Sequence, residues 1–211
     1  MPVDVNLSKD GIIYQREQYR KGGIGRCYWD YRDKEILKFI DAGNEKTILD
    51  IGCGEGILME KIIQIFPDAE VFGIDPSHEN VSICKQYGLK AYDGSSYELS
   101  VNKESFDCVL FIEVIEHLEY PELAIKEIYK VLKKGGKLIL LFPHDSIFKL
   151  VRVLTLKFKE AFYNAGHVKQ WHPTKVVNIL EKNGFEITYT KNLPFYLWMI
   201  SLHCLIVAKK L

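Results

Sequence analysis

The sequence lacks the features that mark several protein classes. No uninterrupted apolar run in its 211 residues is long enough to cross a bilayer, and the first residues show no signal peptide. Lys plus Arg and Asp plus Glu number 28 each, so the chain as a whole carries no basic footprint for nucleic acid. These absences favour one compact domain, which we expect in the cytoplasm, and they argue against a nucleic-acid partner.

Cysteine is scarce and unpatterned. Five residues are scattered along the chain without C-x-x-C spacing: Cys27, Cys53, Cys84, Cys108 and Cys204. Their odd number and wide separation predict reduced thiols and exclude a disulfide framework or a zinc ribbon.

What the sequence does contain is a strand that runs into a glycine turn. Residues 47–56 read T-I-L-D-I-G-C-G-E-G, an apolar β-branched run followed by glycine at three alternate positions. Helical spacing of apolar residues follows from Glu55 to Phe66 and ends at Pro67. Strand, turn and helix amino-terminus predict a nucleotide-type pocket, because a backbone without side chains lets a ligand approach.

The spacing of the glycines indicates which nucleotide. A dinucleotide fold needs G-x-G-x-x-G, whereas this turn reads G-x-G-x-G, with Asp50 two residues before the first glycine. A carboxylate there would repel a pyrophosphate and would suit a cationic ligand such as an ammonium or a sulfonium. The residues therefore disfavour an NAD-dependent oxidoreductase.

This motif, Asp50 to Gly56, resembles the first motif of the class I S-adenosylmethionine-dependent methyltransferases. The block F-D-C-V-L-F-I-E-V-I-E-H-L-E-Y-P-E-L at 106–123 and its continuation to Leu138 match the same family's middle region, and the small-molecule branch that includes the ubiquinone-biosynthesis O-methyltransferases is the part it resembles. The resemblance implies an α/β fold: a seven-stranded, mostly parallel sheet with helices on both faces and the last strand antiparallel. It also implies S-adenosyl-L-methionine as cofactor and S-adenosyl-L-homocysteine as product.

Two more acidic residues follow the second and third predicted strands. Asp75 lies about twenty positions beyond the turn, where an acceptor-only carboxylate suits a ribose diol, although Asp75 or Ser77 could equally cap the next helix. The resemblance places Asp93 near the adenine amino group, although Asp-Gly alone is often a turn. The full set of cofactor-binding candidates is Asp50, Gly52, Cys53, Gly54, Gly56, Asp75, Pro76, Asp93, Gly94, Ile112 and Glu113.

Periodicity predicts the remaining elements. Strands are expected at 69–74, 89–92, 105–112, 137–142, 184–189 and 200–208, and helices at 79–87, 122–132 and 173–183. Ahead of the first strand, two helices at 12–21 and 27–40 are expected on either side of Gly22-Gly23-Ile24-Gly25. We assign 1–42 to a helical cap, which is either a lid or a helix packed on the sheet, and 43–211 to the cofactor-binding domain.

The segment E-V-I-E-H raises the question of a metal. Glu113, Glu116 and His117 would converge on a helical turn, and similar motifs bind divalent metal in the resembled O-methyltransferases and in RNA-end 2′-O-methyltransferases. The motif is also common in relatives that use no metal. We favour the interpretation that it binds no metal in this chain.

Histidines are the candidate bases. His144 follows the fifth predicted strand, His117 ends the E-V-I-E-H segment, and His167 precedes the helix that starts at Pro173. His167 and His172 could instead cap or position that helix. The aromatic segment 193–198 would either wall the substrate pocket or belong to the core.

A substrate-side insertion is expected at about 145–172. Within it, 146–163 is apolar and basic, which suits a helix packed on the core or one that lies on an anionic membrane. The chain is therefore predicted to methylate an oxygen or nitrogen of a small or lipid-linked acceptor. Two alternatives stay open: a metal-dependent RNA-end 2′-O-methyltransferase and a non-catalytic S-adenosylmethionine-binding subunit.

Overall fold

The computed structural model describes residues 15–41, 43, 46–144, 146, 147, 150 and 168–211. Seven strands form one sheet: β1 (Thr47–Ile51), β2 (Glu70–Asp75), β3 (Lys90–Asp93), β4 (Phe106–Ile112), β5 (Leu132–Pro143), β6 (Phe185–Leu193) and β7 (His203–Lys210). The helices in the described residues that have assigned bounds are α1 (Gln15–Lys21), α2 (Gly23–Leu37), α3 (Ile57–Ile65), α4 (His78–Gln86), α5 (Pro121–Val131) and α6 (Pro173–Lys182), with 3₁₀ turns at Ile115–His117 and Trp198–Ile200.

The strands are ordered β3-β2-β1-β4-β5-β7-β6. Neighbours from β3 to β5 run parallel, and β7 runs antiparallel to both β5 and β6. The predicted fold class is therefore confirmed: the sheet has seven strands, is mostly parallel and has an antiparallel last strand. The structure adds that β7 lies between β5 and β6. Among the residues that the structure describes, no helix combines the length and apolar content needed to cross a membrane.

Two apolar layers, one on each face of the sheet, hold the helices. Alternate residues of each strand point to opposite faces, so Val109 of β4 packs with α5 and α6, whereas Leu110 packs with α2, α3 and α4. The two layers contain 24 and 19 buried residues, and β4 is buried on both faces because it lies at the centre of a parallel sheet. None of the five cysteines takes part in a disulfide bond.

The amino-terminal helices differ from the prediction. The expected four-residue glycine spacer is wrong, since Gly22 alone separates α1 from α2, and Gly23 to Gly25 are helical. Gly22 adopts φ 72° and ψ −148°, a conformation that side chains rarely tolerate, so one glycine is enough to redirect the chain. Ile36 of α2 is fully buried against the sheet.

The carboxyl-terminal strands also depart from their predicted bounds. β6 continues to Leu193, and β7 begins at His203 instead of residue 200, because a 3₁₀ turn occupies Trp198–Ile200. The segment between them is not core: Phe195, Tyr196 and Leu197 are 53%, 88% and 68% exposed. Local hydrophobicity cannot distinguish a buried aromatic run from an exposed one, because burial is decided by what packs against it.

Candidate active site

A cleft opens at the edge of the sheet where the parallel strands end. Seven residues predicted from the sequence line it: Gly52, Gly54, Asp75, Pro76, Gly94, Glu113 and His117. Its lining includes further residues that the sequence did not indicate, among them Gln15, Asn80, Ser96, Val114 and Leu118.

The glycine turn after β1 needs its glycines. Gly52, Gly54 and Gly56 have φ values of 73°, 54° and 77°, all in the left-handed region. A Cβ on Gly52 would lie 2.4 Å from Val114 Cγ2, and one on Gly56 would lie 2.4 Å from Leu89 Cδ1. The side of the turn that faces the protein therefore has no room for a side chain at these positions. Gly56 is also the N-cap residue of α3.

Asp75 ties this turn to the end of β2. Its Oδ2 accepts a hydrogen bond from Gly54 N at 2.8 Å, and its Oδ1 accepts from Ser77 N at 2.9 Å and Asn80 Nδ2 at 3.0 Å. The side chain is 4% exposed and still borders the cleft. Ser77, in turn, caps α4 by accepting from Asn80 N at 3.3 Å, so the capping role predicted for this pair belongs to Ser77.

Asp50 lies beneath the turn and outside the cleft lining, with 3% of its surface exposed. Burial raises its pKa to about 7, and the nearby carboxylates of Asp75 and Asp33 add to the shift, while Arg32 opposes it. A buried acid poised near neutrality becomes more readily ionised when a cation binds above it. The position therefore suits a cationic ligand, as the sequence suggested.

Three other predicted cofactor-binding residues are not part of the cleft lining: Asp93, Cys53 and Ile112. Asp93 is half exposed and accepts from His78 Nδ1 at 3.0 Å, whereas its neighbour Gly94 borders the cleft and donates its N–H to Asp75 O at 3.1 Å. Cys53 is buried under the turn beside Met59 and Gly73. Ile112 is the last residue of β4, directly before Glu113.

Helix α1 covers one side of the glycine turn. The backbone N–H groups of Gln15 and Arg16 donate to the Glu55 carboxylate at 2.5 and 2.8 Å. Arg16 also donates to Glu55 O and to Glu60, and Gln15 reaches close to Gly54. Glu55, only 3% exposed, therefore fixes the start of α1 against the rim of the cleft.

Glu113 is held by residues that sequence reasoning missed. Its Oε2 accepts from Arg32 Nη1 at 2.7 Å, and its Oε1 pairs with His203 Nε2 at 2.7 Å. Burial alone would raise the pKa of Glu113, but Arg32 and His203 outweigh it and keep that pKa well below its usual value. No local signal distinguished either residue: Arg32 is one of several charged residues in α2, and His203 lies in an apolar strand.

The three metal candidates do not form one cluster. Glu113 is engaged by Arg32 and His203, Glu116 is 2% exposed, and His117 borders the cleft. Across the described ranges, no group of three or more His, Cys, Asp or Glu side chains has the arrangement of a metal site. The three candidate donors therefore do not fit a metal ion in this arrangement.

His144 and His172 both lie beside Trp198. The His144 ring packs on Trp198 with centroids 4.5 Å apart, and its Nδ1 is 3.4 Å from Gln170 Nε2. His172 caps α6 by accepting from Thr174 N, one of the two roles considered for it. His167 and most of the predicted insertion lie outside the described residues.

Fold and site together define a class of protein. A parallel sheet closed by an antiparallel strand, with a glycine turn after β1 and acids at the strand tips, is the class I methyltransferase architecture that the sequence motif implied. The model of a methyltransferase domain family matches residues 28–190, more than three quarters of the chain. The chain belongs to this family of S-adenosylmethionine-dependent methyltransferases, and the predicted cofactor is confirmed.

Relatives of known name are ubiquinone biosynthesis O-methyltransferases. The mitochondrial protein of Rattus norvegicus is 34% identical over 160 residues, which cover 66% of this chain and 44% of that protein. The mitochondrial protein of Candida albicans is 31% identical over 221 residues, which cover 93% of this chain and 62% of that protein. The chain thus spans less than two thirds of either relative.

Solved structures agree on the fold. A methyltransferase from Thermotoga maritima, described as S-adenosylmethionine-dependent and a possible histamine N-methyltransferase, superposes with a TM-score of 0.71. The match covers 93% of this chain and 96% of that one at 20% identity. At this identity the likeness concerns the fold alone, so the acceptor must be argued from the site and the relatives.

Proposed function

We propose that this chain transfers the methyl group of S-adenosylmethionine to a hydroxyl oxygen of a small aromatic acceptor that carries an apolar tail. The observation that carries the proposal is the cleft itself, bounded by Asp75 and Glu113 and with His117 at its rim. The names of the curated relatives support an oxygen acceptor on the way to ubiquinone, a quinone with methoxy groups and a polyprenyl tail. The neutral charge balance supports a small acceptor over nucleic acid.

The chain's own residues supply orientation and electrostatics. When bound, S-adenosylmethionine provides an activated methyl group on a sulfonium. Asp75 holds the glycine turn closed and offers its remaining acceptor capacity to ribose hydroxyls, while Gly52 and Gly54 leave room at the backbone. Asp50 under the glycine turn and Glu113 at the cleft wall would favour a positively charged ligand. Holding the acceptor oxygen in line with the methyl carbon accounts for most of the expected rate enhancement.

A base must also receive the proton of the acceptor hydroxyl. Of the three candidates from the sequence, His117 lines the cleft, whereas His144 packs on Trp198 outside its lining. We therefore favour His117 as the group that accepts this proton. His144 and Trp198 are better placed to hold the apolar part of the acceptor.

Membrane contact and location remain predictions. Of the segment 146–163, only residues 146, 147 and 150 are described, so its predicted contact with an anionic membrane rests on the sequence. Co-sedimentation with phosphatidylglycerol vesicles tests it, and a protein that stays in the supernatant argues against it. Cytoplasmic location rests on the sequence alone and is best tested by fractionation.

The decisive experiment is methyl transfer to a panel of acceptors. Purified protein and S-adenosylmethionine are incubated with 1,2-diphenols bearing no tail or a short polyprenyl tail, with histamine, and with a short RNA carrying a 3′-terminal diol. Mass spectrometry should detect a mono-methyl ether of the tailed diphenol and little product elsewhere. Product on histamine or RNA alone would overturn the proposal, and parallel reactions with chelator or with added Mg²⁺ would measure any metal requirement.

A further inference from the structure

A hydrogen-bonded chain joins three separate parts of the fold at the rim of the cleft. Tyr28 of α2 lies with its hydroxyl 2.7 Å from His203 Nδ1, and His203 Nε2 lies 2.7 Å from Glu113 Oε1. The rings of Tyr28 and His203 also stack, with centroids 5.6 Å apart. His203 is the first residue of β7 and is fully buried, and it lies beyond the stretch that the family model matches.

The partners fix the direction of these hydrogen bonds. An ionised carboxylate can only accept, so the Nε2 atom that faces Glu113 must carry a hydrogen. Burial keeps the pKa of His203 below its ordinary value even though Glu113 opposes the shift, so the ring is neutral and its Nδ1 accepts. Tyr28 therefore donates to His203, and His203 donates to Glu113.

Glu113 needs this support because of its own backbone. It adopts φ 56°, a left-handed conformation that is unfavourable for a residue other than glycine. Its side chain is 37% exposed at the cleft, where a free carboxylate would sample several rotamers. Arg32 holds one oxygen and His203 the other, so the carboxylate is fixed from both sides.

We propose that Tyr28 and His203 are positioning residues for the cofactor, acting through Glu113 on the charged amino-acid end of S-adenosylmethionine. A carboxylate stabilises a bound ammonium only at close range, so a shift of its position weakens binding. Because Tyr28 lies on α2, the same bond couples the amino-terminal helix to the cofactor. The inference concerns cofactor binding and holds whatever the acceptor is.

Calorimetric titration with S-adenosylhomocysteine tests it on the full chain. Tyr28→Phe keeps the stacked ring and removes only the donor, and it should weaken binding about fivefold, the effect of one hydrogen bond. The dissociation constant of His203→Gln should be within threefold of that of Tyr28→Phe, because an amide can still donate to Glu113. His203→Ala should bind more weakly still. The matched control is Tyr129→Phe, which removes a hydroxyl that donates to Leu211 O at 3.3 Å beside the start of β6.

Two further readouts separate positioning from general stability. In steady-state assays, Tyr28→Phe should raise KM for S-adenosylmethionine about fivefold and leave kcat within twofold of wild type. The effects of Tyr28→Phe and Glu113→Gln should be non-additive, since both act through the same carboxylate. A Tyr28→Phe protein that melts earlier yet binds S-adenosylhomocysteine as wild type does, or fully additive effects, would overturn the inference.

Discussion

The two halves of the sheet are built by different means. In the half formed by β3, β2, β1 and β4, each strand is parallel, and the functional groups are the residues that end it or directly follow it, such as Asp75 and Glu113. In the half formed by β5, β7 and β6, the contacts join residues that are far apart in sequence. Tyr28 and His203 are 175 residues apart, and Lys191 pairs with Glu35 across 156 residues.

The two halves should therefore respond differently to amino-acid substitutions. The half formed by β3, β2, β1 and β4, here called the cofactor half because it carries the glycine turn, depends on backbone geometry and on few carboxylates, so a single substitution there removes several contacts at once. The half formed by β5, β7 and β6, here called the acceptor half after the proposed place of the acceptor, depends on packing between distant segments. In its connection from Phe195 to Ile200, every residue except Trp198 is exposed. The predictions below compare the two halves, from the largest expected effect to the smallest.

The largest effect is expected from Asp75→Ala. The substitution removes the acceptor of Gly54 N and, under the proposed function, the acceptor of the ribose hydroxyls. Each hydrogen bond to a charged group contributes about 1.5–3 kcal/mol, so affinity for S-adenosylhomocysteine should fall several hundred-fold. Calorimetry measures it, with Glu70→Ala as control, since that carboxylate is exposed and pairs with Lys90 at the start of β2, away from the cleft. Equal losses in both variants would contradict the central role given to Asp75.

A second prediction compares two histidines across the boundary between the halves. His117→Gln should lower kcat about 100-fold, the lower range of general base catalysis, and leave the affinity for S-adenosylhomocysteine within twofold. His144→Gln should lower kcat less than tenfold and raise KM for the acceptor. Rates are measured with the tailed diphenol; the reverse order of effects would reassign the base to His144.

Asp50→Asn should separate stability from binding. The folded protein raises the pKa of Asp50 from 3.8 to about 7, so between these values it holds a proton that the unfolded chain has released. The contribution of Asp50 to the free energy of unfolding therefore falls as pH rises from about 4 to 7. Above pH 7 the buried, ionised carboxylate destabilises the fold. The neutral amide carries no such penalty, so the free energy of unfolding of the variant should be about 1–3 kcal/mol higher than that of wild type at pH 8. The variant should also bind S-adenosylmethionine more weakly.

Thermal melts of both proteins at pH 5.5 and pH 8 provide the measurement. The difference between wild type and Asp50→Asn should be larger at the higher pH. Glu113→Gln is the comparison, since the pKa of Glu113 is lowered, and its ion pair with Arg32 and its hydrogen bond from His203 stabilise the fold at neutral pH. An Asp50→Asn protein less stable than wild type at pH 8 would show that Asp50 is not a source of strain.

The smallest effect is expected in the acceptor half. Tyr196 is 88% exposed, so Tyr196→Ser should change the free energy of unfolding by no more than about 0.5 kcal/mol. Leu193 begins the same segment and is fully buried, and Leu193→Ala should cost about 2–5 kcal/mol. Urea titrations compare the two; a large loss in Tyr196→Ser would show that this residue is covered in solution.

The sequence predicted the cofactor half closely. β1, the glycine turn and α3 lie within about two residues of their expected bounds, and Gly52, Gly54, Asp75 and Gly94 line the cleft. These features are local, because a strand, a turn and a helix start are encoded in consecutive residues. The order of the strands was not predicted and comes from the structure.

The sequence failed where contacts are long-range or where burial is decided by packing. It gave α2 a later start, did not indicate that most of 194–200 is exposed, and offered no reason to choose His203 among six histidines. It grouped Glu113 and His117 as possible metal ligands from spacing alone, whereas Arg32 and His203 engage Glu113.

By itself, then, the sequence determined the fold family and the chemistry of the strand tips, because glycine conformations and apolar periodicity act over a few residues. Only the tertiary structure decided which histidine borders the cleft and how Glu113 is held. It could do so because β7, the antiparallel strand, brings His203 beside the end of β4, 90 residues away in the chain.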